Sequence, residues 1–419
     1  MPKLYLKRSI QNLKNLFWHY PKNLFYNCYY GFPSKKLTLI GVTGTDGKTT
    51  TTFLIHHCLL EAGIKCGSIS TLGARIGNKE IEIGLHTTSP DPSVVQKILR
   101  QMVDNGITHV VIEVTAHAID QYRFGSCHFK TAVLTNISHE HLDDFIDLNF
   151  YTKIKARLFR HTDNIILNRD DPSYQFVKEQ SVAVPITYSI TKTSDYQAKN
   201  IKYSPTFLSF EVGNLTFKTN SQYQYQIYNI LAAHAVLSTF HINPQIILSV
   251  IKHFPEIKGR REEIANLFHI RTLVDFAHTP AALHTTLESL KRSTPGKLIV
   301  IFGATGGRDQ SKRPLMGQVV SQTADIAIIT ADDTRNEKVE DINRQIIAGV
   351  DPLQIKNKKF TYYNIGNRQD AFNLAVKLAI PGDTIIACGK GHENTILHGK
   401  TEYPWSESAA YQTAFRLKK

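Results

Sequence analysis

The sequence predicts an α/β fold with a central P-loop domain on a parallel sheet and a C-terminal, Rossmann-like α/β domain. Two observations predict it: strand-like and helix-like runs alternate in two blocks, and a glycine-rich turn joins the first predicted strand to a helix. At 419 residues the chain is too long for one ordinary core. We expect a short N-terminal segment at residues 1–36, a central domain at 37–254 and a C-terminal domain at 255–419.

Short β-rich runs alternate with amphipathic stretches in the central domain. The stretches "TTTTFLIHHCLLEAG" and "SVVQKILRQMVDNG" predict helices that end at Gly63 and Gly106, because glycine commonly terminates a helix. This βαβ rhythm predicts a mostly parallel sheet with helices on both faces. The predicted strands are "LTLIGV", "CGSIST", "THVVIEVT" and "TAVLTNIS".

The pattern changes over residues 195–220, where polar and apolar residues alternate and predict antiparallel strands. A helix, "QIYNILAAHAVLSTF", follows, and "NPQ" begins another. In the C-terminal domain each predicted strand runs into a polar, turn-rich loop, and functional loops occupy such strand ends in open α/β sheets. These strands are "RTLVDFA", "KLIVIFGA", "IAIITADD" and "TIIACGKG".

The composition is that of a globular protein, with 42% hydrophobic and 20% charged residues. The sequence has no apolar run of the roughly 18 residues that span a bilayer, and its N-terminus has no apolar signal-peptide core. Five cysteines form no CxxC pair, which indicates reduced thiols. We expect a cytoplasmic protein that acts as a monomer.

The formal net charge of +13 suits nucleic acid, an anionic membrane face or a polyanionic small substrate. No aromatic–basic nucleic-acid motif occurs, so we expect no nucleic-acid partner. Residues 1–36 form a basic cluster interleaved with leucine and aromatic residues. This pattern predicts an amphipathic helix on the central domain or on an anionic membrane face, where contact would be weak. We favour the domain, because aromatic residues near a domain start usually belong to the core.

The stretch "IGVTGTDGKTTTT", residues 40–52, resembles a phosphate-binding loop but misses the standard spacing. The pattern G-x-x-x-x-G-K-[ST] requires a glycine where Val42 stands. A strand that runs through a glycine-rich turn into a helix presents backbone N–H groups to phosphates. We expect Lys48 to reach the phosphates and the hydroxyl of Thr49 or Thr50 to hold Mg²⁺. The alternative is a structural turn.

Two strand ends carry further candidate metal ligands. Glu113 ends the strand "HVVIEV", and His141 follows the next strand in "TNISHEHLDDF". A magnesium phosphate site requires hard oxygen ligands such as a carboxylate. Each residue also has an ordinary alternative, a carboxylate that caps a turn and a solvated loop histidine. Their occurrence together with the glycine loop favours a metal site.

These motifs together resemble the Mur ligases, the ATP-dependent amide-forming family of peptidoglycan synthesis, and within it the UDP-N-acetylmuramoyl-tripeptide synthetases. The family's own phosphate loop reads G-T-x-G-K-T-[ST], which accounts for Val42. The resemblance covers residues 37 to about 395. The matching segments, in family order, are "GVTGTDGKTTT", "TTSPDP", "IEVTAHAIDQYRF", "TNISHEHLDDF", "YTKIKARLF", "ILNRDDP", "GRREEI", "VDFAHTPAAL", "GATGGRDQSKRPLMG", "DDTRNE" and "GKGHE".

The resemblance implies roles for individual residues. The implied ATP contacts are Gly44, Thr45, Gly47, Lys48, Thr49, Thr50, Asn229 on the adenine side, Arg260 at the γ-phosphate, Asp275 and His278. The implied ligands of two Mg²⁺ ions are Thr49, Glu113, His141 and Lys155, the last as a carbamate. Spacing alone would instead favour an exposed Lys155 beside Lys153 and Arg157. The implied substrate contacts are Thr87, Thr88, Thr115, Arg123, Arg308, Asp332, Asp333, Arg335, Gly389 and Glu393.

The resemblance also implies the reaction. ATP phosphorylates the carboxylate of an acceptor peptide, and the amine of an amino acid then attacks the acyl phosphate. Lys48, Lys155, His141 and Arg260 would be the catalytic set, and closure of the C-terminal domain would gate turnover. In "DDTRNE", Arg335 would pair with the second carboxylate of meso-diaminopimelate, so we expect this amino acid over L-lysine. Asp333 would reduce the preference for meso-diaminopimelate over L-lysine, because its negative charge would neutralise Arg335.

The chain departs from the family at two places. Residues 1–36 are too few for the family's uridine-binding domain, which we expect to be absent. The acceptor loop usually reads Ser-Ser-His, and here Ala116 follows Thr115. Three alternatives stay open: a folylpolyglutamate or cyanophycin type of ligase, a Mur-like ligase with a different acceptor (non-UDP or lipid-linked), and a P-loop binding protein without catalysis.

Overall fold

The computed structural model describes residues 2–81, 89–138, 144–204, 207–221, 223–254 and 257–418, with side chains from Arg8 onward. The described residues divide into two compact units, one ending at Phe254 and the other beginning at Ile257. Within these ranges, no helix is both long and apolar enough to cross a membrane.

The first unit is built on a nine-stranded sheet with the order β4-β3-β2-β5-β1-β6-β7-β8-β9. Its strands are β1 (Thr38–Thr43), β2 (Cys66–Ser70), β3 (Gly73–Ile76), β4 (Lys79–Ile81), β5 (His109–Glu113), β6 (Phe129–Leu134), β7 (Asn164–Asn168), β8 (Ile186–Ser189) and β9 (Tyr196–Gln197). All pairs are parallel except β2–β3 and β3–β4. Since β1 lies between β5 and β6, the carboxyl ends of these three strands meet at one edge.

Helices cover both faces of this sheet, as the sequence predicts. They are α1 (Pro2–Lys14), α2 (Tyr20–Tyr29), α3 (Lys48–Glu61), α4 (Pro92–Asp104), α5 (Ala116–Asp120), α6 (Leu148–Ala156), α7 (Tyr174–Glu179), α8 (Gln224–Ser238) and α9 (Pro244–Lys252). Side chains of β1 alternate between the two cores: Leu39 packs in the core that includes α4, and Ile40 and Val42 pack in the core that includes α3 and α8.

The alternating segment forms the predicted antiparallel sheet, with strands β10 (Lys199–Tyr203), β11 (Leu208–Val212) and β12 (Leu215–Thr219). Leu208, Phe210 and Val212 are buried while the residues between them are half-buried, so the period of two identifies the inner face. Phe210 stacks on Phe217 of the neighbouring strand.

The N-terminal segment is helical and docks on the first unit. A π-helical stretch, Asn15–His19, joins α1 to α2, and the Tyr20 N–H bonds Asn15 O five residues back. The predicted packing on the central domain is confirmed, because Arg8 and Asn15 bond Asp120 and Asn23 bonds the Arg123 carbonyl. The reason given for it is wrong. Most of the described aromatic side chains, including Phe17, Trp18 and Phe25, are exposed, and the buried side chains of the helix are polar.

The second unit is a six-stranded sheet with the order β13-β14-β18-β15-β16-β17, parallel except for β13–β14. The strands are β13 (Arg260–Glu263), β14 (Arg271–Asp275), β15 (Leu298–Phe302), β16 (Ile326–Ile329), β17 (Thr361–Asn364) and β18 (Thr384–Cys388), followed by a hairpin of β19 (Thr395–His398) and β20 (Thr401–Pro404). The helices are α10 (Pro280–Ser293), α11 (Lys312–Thr323), α12 (Val339–Ile347), α13 (Pro352–Lys356), α14 (Arg368–Leu378) and α15 (Glu407–Leu417). All four strands predicted for this unit are confirmed.

A buried arginine joins the strand ends of the second unit. The Arg368 guanidinium donates to Glu407 at 2.9 Å, to the carbonyl of Ala331 just after β16 at 2.9 Å, and to the carbonyl of Cys388 in β18 at 3.0 Å. The side chains of Arg368 and Glu407 are each 1% exposed. The pair therefore fixes the loops that follow β16 and β18.

We expect Arg368→Met to destabilise the second unit by about 3–5 kcal/mol, because it leaves the Glu407 carboxylate buried without its partner. Arg368→Met/Glu407→Met should recover part of this loss. Urea unfolding followed by the fluorescence of Trp405, whose indole N–H bonds Glu407, measures the effect. The control is Arg344→Met, since the Arg344 side chain is 76% exposed and pairs only at the surface with Asp341. If the free energy of unfolding of Arg368→Met lies within about 1 kcal/mol of that of the wild type, the expectation is contradicted.

Candidate functional site

The loop between β1 and α3 has no room for side chains at its two glycines. A Cβ on Gly44 would lie 1.8 Å from Thr135 Oγ1, and a Cβ on Gly47 would lie 2.6 Å from Asn229 Oδ1. Both glycines have positive φ, +149° and +81°, which other residues rarely adopt. The loop ends at the N-terminus of α3, which begins at Lys48. The shape of the loop and the N–H groups at the start of that helix suit the phosphates of a nucleotide.

Residues just after β6 hold this loop in place. Thr135 Oγ1 donates to Asp46 O at 2.7 Å, and the Asn136 side chain both donates to Asp46 O at 3.0 Å and accepts from Asp46 N at 2.9 Å. Sequence reasoning missed Thr135 and Asn136. The available signal was their place in the segment "TNIS", which ends three residues before the candidate histidine. That histidine, His141, lies outside the described residues.

A threonine and a glutamate meet beside the loop. Thr49 Oγ1 donates to Glu113 Oε2 at 3.0 Å, and Thr71 Oγ1 donates to the same oxygen at 3.1 Å. Glu113 is 1% exposed and Thr49 is 3% exposed. A hydroxyl and a carboxylate at a phosphate loop are hard oxygen donors of the kind that Mg²⁺ uses together with phosphate and water. Over the described part of the chain, no cluster of three His, Cys, Asp or Glu residues forms a protein-only metal site. The Thr49 hydroxyl and the Glu113 carboxylate together fit Mg²⁺.

Lys155 points into the protein toward the same loop. Its Nζ donates to Gly44 O at 2.7 Å and lies 4.7 Å from the centroid of the Tyr151 ring, and the residue is 1% exposed. Spacing alone favours an exposed Lys155, and that expectation is wrong. Lys153, on the same helix, is exposed. The Lys48 Nζ donates to Thr45 O at 2.6 Å, so the cations of Lys48 and Lys155 both bind carbonyls of one loop.

Asn229 lies beside the phosphate loop. Its Oδ1 accepts a hydrogen bond from Thr51 at 3.2 Å, and its side chain closes the space next to Gly47. Thr50, in the first turn of α3, is buried. These contacts place Asn229 beside the glycine loop, and the adenine-side role that the resemblance implies stays a prediction.

The candidate acceptor residues that the structure describes converge on Ser89. The Ser89 hydroxyl donates to the Glu113 carbonyl at 3.1 Å, and it lies 3.2 Å from Thr115 Oγ1. The Arg123 guanidinium donates to the Ser89 carbonyl, and Thr115 also caps α5 by accepting from Ala118 N. Sequence reasoning did not single out Ser89, although it quoted the segment "TTSPDP". Thr87 and Thr88, the two threonines of that segment, lie outside the described residues.

In the second unit, Asp275 organises the backbone at the end of β14. Its carboxylate accepts from Arg261 N at 2.9 Å and from Ala277 N at 2.8 Å. The Arg260 guanidinium lies 4.4 Å from the centroid of the Phe276 ring, and His278 Nδ1 is 2.8 Å from the Phe276 carbonyl. The structure thus brings Arg260, Asp275 and His278 together around Phe276.

A buried lysine that sequence reasoning missed lies among the candidate substrate residues of this unit. Lys390 Nζ is 2.7 Å from Asp333 Oδ1, 2.5 Å from Glu393 Oε2 and 3.9 Å from Asp332 Oδ1, and its side chain is 1% exposed. Burial raises the pKa of Glu393, and Asp332 and Asp333 add to that rise against Lys390. Burial lowers the pKa of Lys390, but the three carboxylates outweigh burial, so the pKa lies above its ordinary value. The residue before Lys390 is Gly389, and a larger residue would not fit there because its Cβ would lie 2.7 Å from Asp332 Oδ2.

Two loops that carry candidate arginines pack together. A Cβ on Gly306 would lie 1.9 Å from Thr334 O, and Arg335 Cδ lies 3.6 Å from the position of a Cβ on Gly307. The neighbouring Arg308 is half-buried. Arg335 has φ +50°, an unusual conformation for an arginine, and strain of this kind clusters at ligand sites. Its carbonyl accepts from Gly399 N at 2.8 Å, which helps to hold that conformation.

A glycine-rich loop between a strand and a helix, with a buried carboxylate and a buried lysine beside it, defines an α/β nucleotide-binding protein of the P-loop class. The family described as "Mur ligase middle domain" matches residues 42–237, and the family described as "Mur ligase, glutamate ligase domain" matches residues 259–391. The chain belongs to the Mur ligase family and is an ATP-dependent, amide-forming ligase that uses Mg²⁺. The predicted α/β fold class is confirmed.

Individual proteins give the degree of similarity. The UDP-N-acetylmuramoyl-L-alanyl-D-glutamate–2,6-diaminopimelate ligase of Geobacillus thermodenitrificans is 33% identical over 403 residues, which is 93% of this chain and 81% of that protein. A solved structure of another UDP-N-acetylmuramoyl-L-alanyl-D-glutamate–2,6-diaminopimelate ligase matches with a TM-score of 0.62 at 28% identity, over 91% of this chain and 79% of that one. Folylpolyglutamate synthase of Mycobacterium tuberculosis matches with a TM-score of 0.73 at 14% identity, over 94% and 95%. At that identity the likeness shows the fold alone.

Glu337 connects the loop that carries Arg335 to the loop that carries Arg308, and its ionisation should make the stability of the second unit depend on pH. Hydrogen bonds from Arg313 and from Gly307 N lower the pKa of Glu337 to about 2, from an ordinary value of 4.5. A lowered folded-state pKa adds stability that is present above about pH 4.5 and is lost as the pH falls toward about 2. Glu337→Gln should therefore flatten the loss of stability over this range, as measured by thermal unfolding at each pH. The control is Glu340→Gln, an exposed carboxylate. Equal slopes for wild type and Glu337→Gln contradict the prediction.

Proposed function

We propose that the protein adds meso-diaminopimelate to a muramoyl-dipeptide cell-wall precursor in an ATP-dependent reaction through an acyl phosphate. The observation that carries this proposal is the convergence of Lys48, Lys155 and the Thr49–Glu113 pair on one glycine loop. The similarity to proteins named as 2,6-diaminopimelate ligases, over 93% of this chain, supports the substrate.

In this proposal the first unit binds ATP and activates the acceptor. The Lys48 ammonium and the N–H groups of the first turn of α3 hold the phosphates. Thr49 and Glu113 hold Mg²⁺, with His141 as a ligand of a second ion, and bound Mg²⁺ offsets phosphate charge. Thr115 and Arg123, linked through Ser89, bind the acceptor peptide together with Thr87 and Thr88.

The second unit supplies the amino acid and further nucleotide contacts. Arg260, Asp275 and His278 are the proposed nucleotide contacts, arranged around Phe276. The Arg260 guanidinium would offset negative charge that develops on the transferred phosphoryl group.

The charges around Lys390 suit the distal end of diaminopimelate. Three carboxylates surround one lysine, so a further ammonium would find an excess of negative charge. Arg335 and Arg308, on the adjoining loops, supply positive charge for a carboxylate. The distal end of meso-diaminopimelate carries both groups, whereas that of L-lysine carries the ammonium alone. Asp333 is bound by Lys390 and by Leu397 N, which supports a smaller neutralising effect on Arg335 than the sequence suggests.

Competition between the two amino acids tests the substrate. With UDP-linked muramoyl dipeptide, ATP and equal meso-diaminopimelate and L-lysine, we expect diaminopimelate in the product. Arg335→Ala should lose about ten- to a hundredfold of that preference, because a charge-assisted carboxylate contact contributes about 1.5–3 kcal/mol. Equal or greater lysine incorporation by the wild type contradicts the substrate proposal. Parallel assays with a lipid-linked acceptor and with folate plus glutamate separate the two alternative acceptors.

Lys155 is the proposed site of carbamylation, which would convert its ammonium into a carboxylate-like metal ligand. We expect Lys155→Ala to reduce ligation by about a hundredfold or more, and short carboxylates such as formate to restore part of it. Lys153→Ala, an exposed lysine on the same helix, should ligate normally. Incubation with ¹³C-bicarbonate should give a carbamate NMR signal in wild type and Lys153→Ala only. Wild-type ligation by Lys155→Ala without additive would refute the role.

A further inference from the structure

The N-terminal helix has an unusual charge distribution for a surface element. Residues 1–45 contain no aspartate or glutamate, and the first acidic residue is Asp46. The basic residues of this stretch are Lys3, Lys7, Arg8, Lys14, Lys22, Lys35 and Lys36. With α1, the π-helical stretch and α2 in succession, the helix runs from Pro2 to Tyr29 and is about 40 Å long.

The face that the helix turns toward the protein is polar. We call Arg8, Asn15, Asn23 and Asn27 the inner face; each is 7% exposed or less. Arg8 and Asn15 bond the buried Asp120 carboxylate, Asn23 donates to the Arg123 carbonyl at 2.9 Å, and Asn27 bonds the Ser126 hydroxyl. Directional hydrogen bonds from these four polar side chains attach the inner face to the protein.

The opposite face is apolar and exposed. We call it the outer face; its members are Ile10, Leu13, Leu16, Phe17, Trp18, Tyr20, Leu24, Phe25 and Tyr29. Phe17 is 72% exposed, Trp18 64% and Phe25 61%, and among the described residues these are the exposed phenylalanine and tryptophan side chains. The half-exposed Tyr122 packs edge-on against Tyr20 and extends the patch. Contiguous apolar patches of this kind mark interaction sites.

We propose that the outer face docks the protein on an anionic lipid bilayer, with the helix lying in the plane of the membrane surface. Tryptophan and tyrosine concentrate at membrane–water interfaces because each ring has an apolar body and a polar group. Arg8 and Lys22 pair with Asp120 and Asp91, whereas Lys14 is exposed in a stretch without acidic residues, and such a lysine attracts anionic headgroups. This charge distribution disfavours a second copy of the chain, because two such helices packed together would bring basic residues near basic residues. The proposal is independent of the proposed function.

Vesicle sedimentation with the full-length protein tests the proposal. At low salt we expect binding to vesicles of equal parts phosphatidylglycerol and phosphatidylcholine, and much weaker binding to phosphatidylcholine alone. Phe17→Ser/Trp18→Ser/Phe25→Ser should reduce partitioning at least about tenfold, through lost apolar burial. Lys14→Glu should reduce it at least about fivefold, since a basic residue near an anionic surface contributes about that factor. The matched control is Val182→Ser/Val184→Ser/Leu267→Ser, three residues that are 90–94% exposed elsewhere.

Trp18 fluorescence reports whether the outer face itself enters the lipid. Anionic vesicles should shift the tryptophan emission of the wild type to shorter wavelength. Trp18→Phe should still sediment with vesicles but lose the shift, because Trp405 is the other tryptophan and lies in the second unit. Two results would overturn the proposal: vesicle binding that the triple serine variant retains, or a wild-type dimer in solution that this variant converts to monomer without any difference in vesicle binding.

Discussion

The first unit depends on a steric constraint at Gly44 and Gly47. Each glycine lies directly under a polar side-chain atom, Thr135 Oγ1 for the first and Asn229 Oδ1 for the second. The segment just after strand β6 and helix α8 therefore fix the path of the loop, and the loop carbonyls in turn bind Lys155, Lys48 and Thr135. A nucleotide would meet N–H groups that are already oriented, so little reorganisation would accompany its binding.

The second unit is organised by buried charge. Lys390 and Arg368 are almost fully buried, and each has carboxylates close by, so neither cation is left uncompensated. Burial raises the pKa of Glu407, and Arg368 opposes that rise. Asp332 connects the two groups: burial raises the pKa of its carboxyl, but Lys390 and then Arg368 lower it below its ordinary value. The loops after β16 and β18 are thus fixed by one electrostatic network.

Sequence patterns predicted the elements well where periodicity reports burial, as in the buried strands and the alternating β11. They could not predict that Lys155 is buried, because its spacing on α6 does not reveal which face meets the phosphate loop. Lys390 was missed because charged residues are rarely buried, and only its surrounding carboxylates make that burial favourable. Most instructive is the N-terminal helix, where hydrophobicity indicated an aromatic core but hydrogen bonds place Asn15 and Asn23 inside instead.

The N-terminal helix uses its polar side chains to contact the protein near the candidate acceptor residues. The helix contacts Asp91 through Lys22 and Asp120 through Arg8, and it caps the Arg123 carbonyl. Two of the contacted residues adjoin Ser89: Asp91 lies two residues after it, and Arg123 donates to its carbonyl. The Thr115 hydroxyl bonds the Ser89 hydroxyl. Hydrogen bonds hold a helix in one register, whereas an apolar face can slide or rotate on its partner. The helix can therefore fix the loop around Arg123 while its aromatic side chains remain outside the fold, where they can contact a second surface.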